Sequence, residues 1–404
     1  MAKHGVICDN VRLDLDQMHQ AKKDSIKGLT QGIEGLLKKN KVDYSKGWGK
    51  LSGTNEVTVS KEDGSTEVVR AKNIILAMGS EVAKLPPVPV DNAGMKIVDS
   101  TGALDLPEVP KSMVVVGGGV IGLEMGSVWS RLGAEVTVVE FMPHVGGGLD
   151  LEISKNFQRI LKKQGFKFKM KTKVTGSEIQ DDGKVKLTYE AADGKGDAGE
   201  IEADVVLVST GRVAATNGCG LEELGIKMER GVVQVDEHFR TNVPSVYAIG
   251  DCIDGPMLAH KAEEEGIACV EMIAGLGGHV NYDVIPGVIY THPEVAVVGK
   301  TEEQLKEEGV EYNKGAFAFK ANSRARTVLD DDGLVKILAD KETDRVLGIH
   351  IIGPNAGEMI AEGVLAMEYG ASSEDIGRTC HAHPTLSEAF KEGAMAVYDK
   401  PIHS

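Results

Sequence analysis

The sequence predicts an α/β protein followed by a separate α+β domain. Residues 111–211 alternate apolar strands with helical segments, an order typical of a parallel sheet. From residue 284 onward, four apolar strand segments precede the helical segment 358–369, an order that indicates a domain of another kind. A chain of 404 residues is also long for a single hydrophobic core. We therefore expect two or three domains.

Composition and charge narrow the classes of function. The formal net charge of −16 disfavours electrostatic binding to nucleic acid or to an anionic membrane. No apolar run approaches the roughly 20 residues that cross a bilayer. The five cysteines are scattered without a CxxC pair, which indicates free thiols in a reducing compartment. We expect no nucleic-acid partner, no membrane span and no structural metal.

Residues 11–89 have a pattern of apolar residues that differs from the rest of the chain. Residues 11–39 place apolar side chains at helical spacing and predict one or two amphipathic helices. From Val42 the pattern changes to short strands separated by glycine turns, and it closes on the apolar segment 73–80. The Pro-rich stretch 84–89 that follows is stiff and indicates a domain boundary.

The strand 113–116 runs directly into a GxGxxG pattern, which a helix follows, and the next strand ends on an acidic residue. Gly117 permits the tight turn, Gly119 lets the backbone approach a pyrophosphate, and Gly122 allows close packing of helix on strand. The helix amino terminus offers free N–H groups to the phosphates. Glu140, 23 positions after the first glycine, is placed to accept from the ribose 2′-hydroxyl, which favours NAD over NADP. The alternative is a glycine-rich turn without a ligand.

The carboxy-terminal segment 380–388 permits three interpretations. Thr385 and Glu388 have the spacing of a capping box at a helix start. Cys380, His381 and His383 contain metal-ligand types, but no second ligand pair with suitable spacing accompanies them. His383 could instead act as a general base that Glu388 orients. Local sequence leaves the choice between capping and catalysis open.

Segments from across the chain together resemble the dihydrolipoamide (dihydrolipoyl) dehydrogenases, members of the class I pyridine nucleotide-disulfide oxidoreductase family. These segments are residues 113–124, 126–141, 150–165, 247–266 and 380–390. Glutathione reductase and mercuric reductase share the general plan. Glu140 and the stretch His-Ala-His-Pro-Thr-Leu-Ser-Glu favour the lipoamide enzymes over them.

The resemblance implies a domain plan and an activity. It implies two Rossmann-like nucleotide-binding domains, of which the FAD domain is incomplete, and a carboxy-terminal α+β dimerisation domain. The expected bounds are residues 1–83 with 241–283 for FAD, 84–240 for NAD, and 284–404 for the interface. The implied reaction passes electrons from protein-bound dihydrolipoamide through a disulfide and FAD to NAD. The implied setting is a homodimer that serves lipoyl domains of a 2-oxo acid dehydrogenase complex, in the mitochondrial matrix or alternatively in a bacterial cytoplasm.

The resemblance also assigns roles to matching positions. His383 matches the active base and Glu388 its partner, and both are expected to reach the active site of the opposite subunit. Asp251 would hold the flavin side chain, although an ordinary turn residue is the alternative there. The expected FAD contacts are Gly49, Met78, Gly79, Ser80, Asp251, Met257, Leu258, Ala259 and His260. The expected NAD contacts are Gly117, Gly118, Gly119, Val120, Ile121, Gly122, Leu123, Glu124, Glu140, Val174 and Gly211.

The sequence departs from the family pattern at its amino-terminal end. The family pattern opens with a GxGxxG of its own and a helix that carries a Cys-x4-Cys pair, whereas residues 1–80 contain only Cys8. We expect an amino-terminally incomplete member that cannot complete the reaction alone. The alternatives are a non-catalytic NAD-binding or dimerising module that lends His383 and Glu388 to an intact subunit, and a different pyridine nucleotide-disulfide oxidoreductase.

Overall fold

The computed structural model describes residues 4–196 and 198–403. The chain divides into two compact units that interleave along the sequence. The first unit comprises Met1–Gly79, Leu104–Val109 and Ala214–Gly255. The second comprises Ser80–Ala103, Pro110–Val213 and Pro256–Ser404.

Helices and strands occur in both units and are numbered from the amino terminus. The helices are α1 (Leu15–Lys39), α2 (Ser100–Ala103), α3 (Val120–Leu132), α4 (Leu151–Lys163), α5 (Ala259–Ile273), α6 (Glu302–Glu307), α7 (Ser323–Thr327), α8 (Ala356–Glu368), α9 (Ser373–Arg378) and α10 (Ser387–Tyr398). The strands are β1 (Trp48–Gly53), β2 (Glu56–Ser60), β3 (Thr66–Arg70), β4 (Ile74–Leu76), β5 (Ser80–Val82), β6 (Ile97–Val98), β7 (Ser112–Val116), β8 (Glu135–Val139), β9 (Lys167–Lys169), β10 (Thr172–Ile179), β11 (Val185–Ala191), β12 (Gly199–Ala203), β13 (Val205–Val208), β14 (Arg212–Ala214), β15 (Met228–Glu229), β16 (Val232–Val233), β17 (Val246–Ala248), β18 (Gly287–Ile289), β19 (Glu294–Gly299), β20 (Tyr312–Ala318), β21 (Leu334–Asp340) and β22 (Val346–Gly353).

The first unit begins with α1, a single helix where one or two were expected. Asp14 caps its first turn by accepting from the Gln17 N–H at 3.0 Å. None of its 25 residues is buried, and its side chains meet the unit at few points, including an ion pair of 2.7 Å between Lys22 and Asp105. Strands β1, β2 and β3 form the antiparallel meander that the glycine turns predicted. Strands β4 and β17 form a two-stranded parallel sheet.

The second unit contains a five-stranded parallel sheet in the order β6-β13-β7-β8-β9. Its central strands are buried on both faces, which is why they read as nearly continuous valine and leucine. Helix α3 links β7 to β8 and ends at Gly133, whose φ of 119° is the left-handed conformation that glycine adopts without strain. The expected α/β class is confirmed.

One part of residues 111–211 differs from the expected alternation. Strands β10, β11 and β12 form a separate antiparallel sheet between β9 and β13. Turns at Gly183 and Gly194, both with positive φ, reverse the chain between these strands. Strands joined by such short turns can pair only in the antiparallel sense, whereas a parallel pair needs a longer crossover.

The carboxy-terminal strands form a five-stranded sheet in the order β18-β19-β22-β21-β20, with every pair antiparallel. Helices α8 and α10 pack against this sheet, and Phe390 of α10 is fully buried in its core with Ile337 and Ile349. The helical segment predicted at residues 358–369 corresponds to α8. The expected α+β architecture of this region is therefore confirmed, although the region belongs to the same compact unit as the parallel sheet.

A buried group of charges lies between α4 and the carboxy-terminal sheet. Asp150 caps α4 through the Glu152 and Ile153 N–H groups and accepts from Lys336 Nζ of β21 at 2.8 and 2.9 Å. The side chains of Asp150 and Lys336 have no exposed surface. Glu302 of α6 and Glu152 of α4 complete the group, with their Oε2 atoms at 2.6 and 3.2 Å from Lys336 Nζ.

Candidate functional site

The glycine turn after β7 has the geometry that its three glycines predict. Gly117 has a φ of 107°, and a Cβ there would stand 2.4 Å from the Ser209 carbonyl oxygen. A Cβ on Gly122 would stand 2.2 Å from the Gly117 carbonyl oxygen, so only glycine lets α3 pack this closely. A Cβ on Gly119 would meet nothing within 4 Å. The backbone at Gly119 is thus open to a ligand, at the amino terminus of α3.

The different surroundings of Gly119 and Gly122 assign a binding role to the first and a folding role to the second. We expect Gly119→Ala to fold normally and to weaken NADH binding by about 10-fold or more, because its methyl group occupies the path of the pyrophosphate. Gly122→Ala is expected to lower the free energy of unfolding by about 1–3 kcal/mol through overpacking. Fluorescence titration with NADH and urea unfolding measure the two effects. Unchanged NADH affinity in folded Gly119→Ala protein contradicts this placement of the dinucleotide.

Glu140 lies beside this turn. Its Oε2 accepts from the Gly118 N–H at 2.5 Å, and its Oε1 accepts from the Met142 N–H at 2.6 Å. A carboxylate offers about four acceptor positions, so two further positions stay available to a pair of ribose hydroxyls. The side chain is half-buried at the end of β8. Its negative charge opposes a phosphate at the same point.

A cavity of about 340 Å³ opens at the carboxyl ends of the parallel strands, where open α/β sheets bind ligands. The glycine turn and Glu140 line one side, and Ser209, Thr210 and Gly211 line another. Arg212 stands at this cavity and donates to the Ser80 hydroxyl and carbonyl oxygens at 2.7 and 2.6 Å. Six of the expected NAD residues line the cavity: Gly117, Gly119, Val120, Ile121, Glu140 and Gly211. The other lining residues are Val82, Ser100, Met142, His144, Gly147, Gly148, Val208, Ser209, Thr210 and Arg212.

Five of the expected NAD residues do not line the cavity: Gly118 and Gly122, which belong to the glycine turn, and Leu123, Glu124 and Val174. Leu123 of α3 is fully buried, and Val174 is 6% exposed within the core that β10 shares with the parallel sheet. Neither side chain lines the cavity. Glu124 is half-buried and accepts from the Tyr290 N–H at 2.7 Å. Burial raises the pKa of Glu124 above its ordinary value. Contacts of these residues with a nucleotide stay predictions.

The carboxy-terminal segment brings His383 and Glu388 together. His383 Nδ1 lies 2.9 Å from Glu388 Oε1, and 69% of the histidine side chain is exposed. Burial opposes ionisation of Glu388, but the Thr385 N–H and His383 outweigh it and hold the pKa of Glu388 below its ordinary value. The carboxylate fixes the orientation of the imidazole through Nδ1, while most of the ring is exposed. This arrangement can take up and return a proton.

The capping-box interpretation is only half right. The Thr385 N–H does donate to Glu388 Oε2 at 2.8 Å, as a capping box requires. However, Thr385 Oγ1 donates to the Ala382 carbonyl oxygen, and α10 begins two residues later with Leu386 as its N-cap. Because Glu388 uses one oxygen for the backbone and the other for His383, capping and orientation are not alternatives at this position.

The interpretation of Cys380, His381 and His383 as metal ligands gains no support. Within residues 4–196 and 198–403, no three His, Cys, Asp or Glu side chains are grouped so that they could hold a metal ion. His381 and His383 each bond to a glutamate instead. In the same described ranges, no helix combines the length and apolar character that crossing a membrane requires.

Comparison with known proteins decides the family. The family model described as pyridine nucleotide-disulphide oxidoreductase matches residues 4–266, and the model of its dimerisation domain matches residues 285–394. The mitochondrial dihydrolipoyl dehydrogenase of Dictyostelium discoideum is 60% identical over 404 residues, which are 100% of this chain and 82% of that protein. The mitochondrial human enzyme is 59% identical over 398 residues, which are 98% of this chain and 78% of that protein.

The chain belongs to the dihydrolipoyl dehydrogenase family.

Solved structures agree with this assignment. The crystal structure of LpdA from Mycobacterium tuberculosis is 26% identical and superposes with a TM-score of 0.87, over 95% of this chain and 83% of that one. The flavoprotein disulfide reductase RclA of Escherichia coli, 24% identical with a TM-score of 0.85, shares the fold. Dihydrolipoyl dehydrogenases are oxidoreductases whose cofactors are FAD and NAD, and this chain is an oxidoreductase of that class. It carries a dimerisation domain.

Residues assigned to FAD occur in both compact units. In the first unit, β4 and β17 pair in parallel, so Met78 and Gly79 follow one strand where Asp251 follows its neighbour. Gly79 has a φ of 72°, and a Cβ there would meet nothing within 4 Å. Open α/β sheets bind ligands outside the carboxyl ends of their strands, so these adjacent strand ends fit a bound nucleotide, and their contacts with FAD stay a prediction. Gly49 lies on β1, in the antiparallel meander.

In the second unit, helix α5 begins directly after Leu258. Leu258 is its N-cap and offers no side-chain cap. His260 bonds through Nε2 to the Pro286 carbonyl oxygen at 2.7 Å. Met257 and Ala259 flank the cap on either side. Contacts between the start of α5 and the flavin stay a prediction for this dihydrolipoyl dehydrogenase.

Sequence reasoning missed several groups of the cavity. His144 and the glycines 147 and 148 come from the irregular segment after β8, which has no periodic pattern. Arg212 follows Gly211 shortly after the apolar strand β13, and that position could have marked it. The pairing of His381 with Glu362 on α8 was also missed, because nineteen residues separate the two in sequence.

Proposed function

We propose that this chain acts in the oxidation of protein-bound dihydrolipoamide to lipoamide, with His383 as the base. In the overall reaction the dithiol loses two electrons and two protons, NAD+ accepts a hydride, and one proton is released. FAD, which Met78, Gly79 and Asp251 would help to hold, would supply the electron transfer between a disulfide and the nicotinamide. The disulfide must come from a subunit that has one, since the 404 residues contain no Cys-x4-Cys pair. His383 takes the proton from a substrate thiol, which makes the thiolate that attacks a disulfide sulfur.

The pairing of His383 with Glu388 carries this proposal. A base must be oriented and must reach its substrate, and in this pair a carboxylate holds Nδ1 while most of the ring faces outward. A ring so exposed on its own subunit suits service in the active site of a second subunit, and the dimerisation domain that contains it supports a homodimer. The mitochondrial relatives support the matrix as its compartment and lipoyl domains of a 2-oxo acid dehydrogenase complex as its partners.

A mixing experiment tests the proposed role. The 404 residues contain no Cys-x4-Cys pair, so the test supplies disulfide and flavin from the Dictyostelium discoideum relative. In that relative, the histidine that matches His383 is replaced by glutamine. We expect co-expression with this chain to form mixed dimers that reduce NAD+ with dihydrolipoamide. Isolated mixed dimers that show no more activity than the inactivated relative contradict the proposal.

Glu140 is proposed to select NAD over NADP. We expect Glu140→Arg to lower NADH affinity by about 10-fold and to raise NADPH affinity, because a positive charge replaces the carboxylate that repels the 2′-phosphate. Glu140→Gln is the matched control, since it removes the charge and keeps the size. It should weaken NADH binding without a preference for NADPH. Fluorescence titrations with both nucleotides measure the change, and an unaltered ratio in Glu140→Arg contradicts the assignment.

A further inference from the structure

A second histidine–glutamate pair lies next to the proposed base. His381 Nε2 is 2.6 Å from Glu362 Oε1, and its Nδ1 is 3.0 Å from the Thr379 carbonyl oxygen. Only 6% of the His381 side chain is exposed, against 69% for His383. The side chain of His381 is therefore buried and bonded to Glu362, whereas the His383 ring, two residues later, is exposed.

The two partners of His381 are both hydrogen-bond acceptors. A ring N–H at Nε2 donates to the Glu362 carboxylate. A hydrogen bond to a carboxylate is charge-assisted, and such bonds are about twice as strong as neutral ones. Lys391 of α10 also donates to the Thr379 carbonyl oxygen, at 2.7 Å. These contacts attach Thr379 and His381, which precede His383, to α8 and α10.

The other end of the segment is attached as well. Asn322, which is buried and caps α7, donates to the Thr385 carbonyl oxygen at 2.9 Å. The Thr385 N–H donates to Glu388 at 2.8 Å. The stretch 379–385 is thus held before and after His383, and the His383 side chain itself is held through Glu388.

We propose that His381, bonded to Glu362, is a positioning residue for His383. The inference rests on the proposed function of His383 as the base. Neither His381 nor Glu362 removes a proton from the substrate in this account. Their pairing narrows the range of backbone conformations that His383 samples, and a displacement of about 1 Å at a reacting group can lower a rate by about 10²-fold.

Kinetics of the mixed dimers test this role. We expect His381→Gln and Glu362→Gln each to lower kcat by about 10-fold with KM for dihydrolipoamide unchanged. Glu362→Gln keeps a hydrogen-bonding side chain at a partly exposed site, so it provides a variant whose folding is not at risk. Glu362→Ala should lower kcat further. His238→Gln, which replaces an exposed histidine beside Glu237 in the first unit, is the control without effect.

A spectroscopic readout distinguishes positioning from general destabilisation. In this chain labelled with 13C at histidine, the His383 ring signal should broaden or shift in His381→Gln while the thermal midpoint changes little. In a His383→Gln background, His381→Gln should produce no further loss of activity, because the base it positions is gone.

The outcomes separate the two proposals. If His383→Gln retains full activity, the proposed function of His383 fails. If His383→Gln is inactive but His381→Gln and Glu362→Gln are as active as the unmodified chain, the positioning role alone is overturned. A rise in KM, or a loss of activity that follows a fall in the thermal midpoint without a change of the His383 signal, also overturns it.

Discussion

Replacing His383 with glutamine lowers the rate of dihydrolipoamide oxidation in mixed dimers by about 10²–10⁴-fold, the range that general bases contribute. Glutamine retains a polar side chain of similar reach but cannot take up a proton from a thiol. The residual rate reflects thiolate already present in solution, so it should rise with pH. Initial rates of NAD+ reduction measure the loss.

Glu388→Gln is the companion variant. It preserves an oxygen that can accept from the Thr385 N–H, but it removes the carboxylate that orients His383. We expect a smaller loss of rate than in His383→Gln. Because the pKa of Glu388 is held below its ordinary value, the pair stays intact at every pH above the ordinary glutamate range and weakens only as the pH falls through the lowered value. A rate equal to that of the unmodified chain in either variant contradicts the assigned roles.

Replacing Lys336 with methionine lowers the free energy of unfolding of the second unit by about 3–5 kcal/mol, because the carboxylates of Asp150, Glu152 and Glu302 are left without their buried cation. Asp150 and Glu302 both bond to Lys336 Nζ, and Asp150 is fully buried with it. Urea unfolding measures the loss. The double variant Lys336→Met with Asp150→Asn should recover part of it, since one uncompensated charge is then removed.

An exposed pair provides the matched control. Lys341 bonds to Glu311 at the surface, and Lys341→Met should change stability little because water screens both charges. An equal loss in Lys336→Met and Lys341→Met would contradict the importance of burial.

The pH dependence of the stabilisation by Lys336 follows from its contacts with Asp150 and Glu302. Burial alone would raise the pKa of both carboxyls, but hydrogen bonds from Lys336, and for Glu302 also from Lys306, hold the two pKa values below the ordinary range. Burial opposes the charge of Lys336, yet its bonds to Asp150 and Glu302 raise its pKa to about 12. The stabilisation is therefore complete between the ordinary carboxyl and lysine pKa values. It declines as the pH falls below about 4 or rises above about 10.

Much of the nucleotide site could be predicted from sequence because its determinants are local. The turn at Gly117, the helix after it and Glu140 lie within one strand–helix–strand unit, and spacing along the chain fixes their spacing in space. Val174 shows the limit of a role assigned by position. It lies on β10, whose antiparallel pairing with β11 directs its side chain into a core.

Contacts between distant segments were beyond local reasoning. The pairing of Lys336 with Asp150 spans 186 residues, and nothing in either local sequence marks the partner. Glu388 illustrates a different limit. Sequence spacing supports both a cap and an orienting carboxylate, and only the positions of its two oxygens show that Glu388 bonds to the Thr385 N–H and to His383 at the same time.

Helix α1 stands apart from these tightly packed regions. Its 25 residues are all reached by solvent, and Gly28, Gly32 and Gly35 each weaken the helix by about 0.8–1.0 kcal/mol relative to alanine. Without a buried face, melting is opposed mainly by the helix's own hydrogen bonds, the Asp14 cap and the few bonds that His19 and Lys22 make to residues 104–106. Fluctuations that open α1 therefore require far less free energy than global denaturation, and its peptide groups should exchange protons with water long before those of the valine-rich strands at the centre of the parallel sheet.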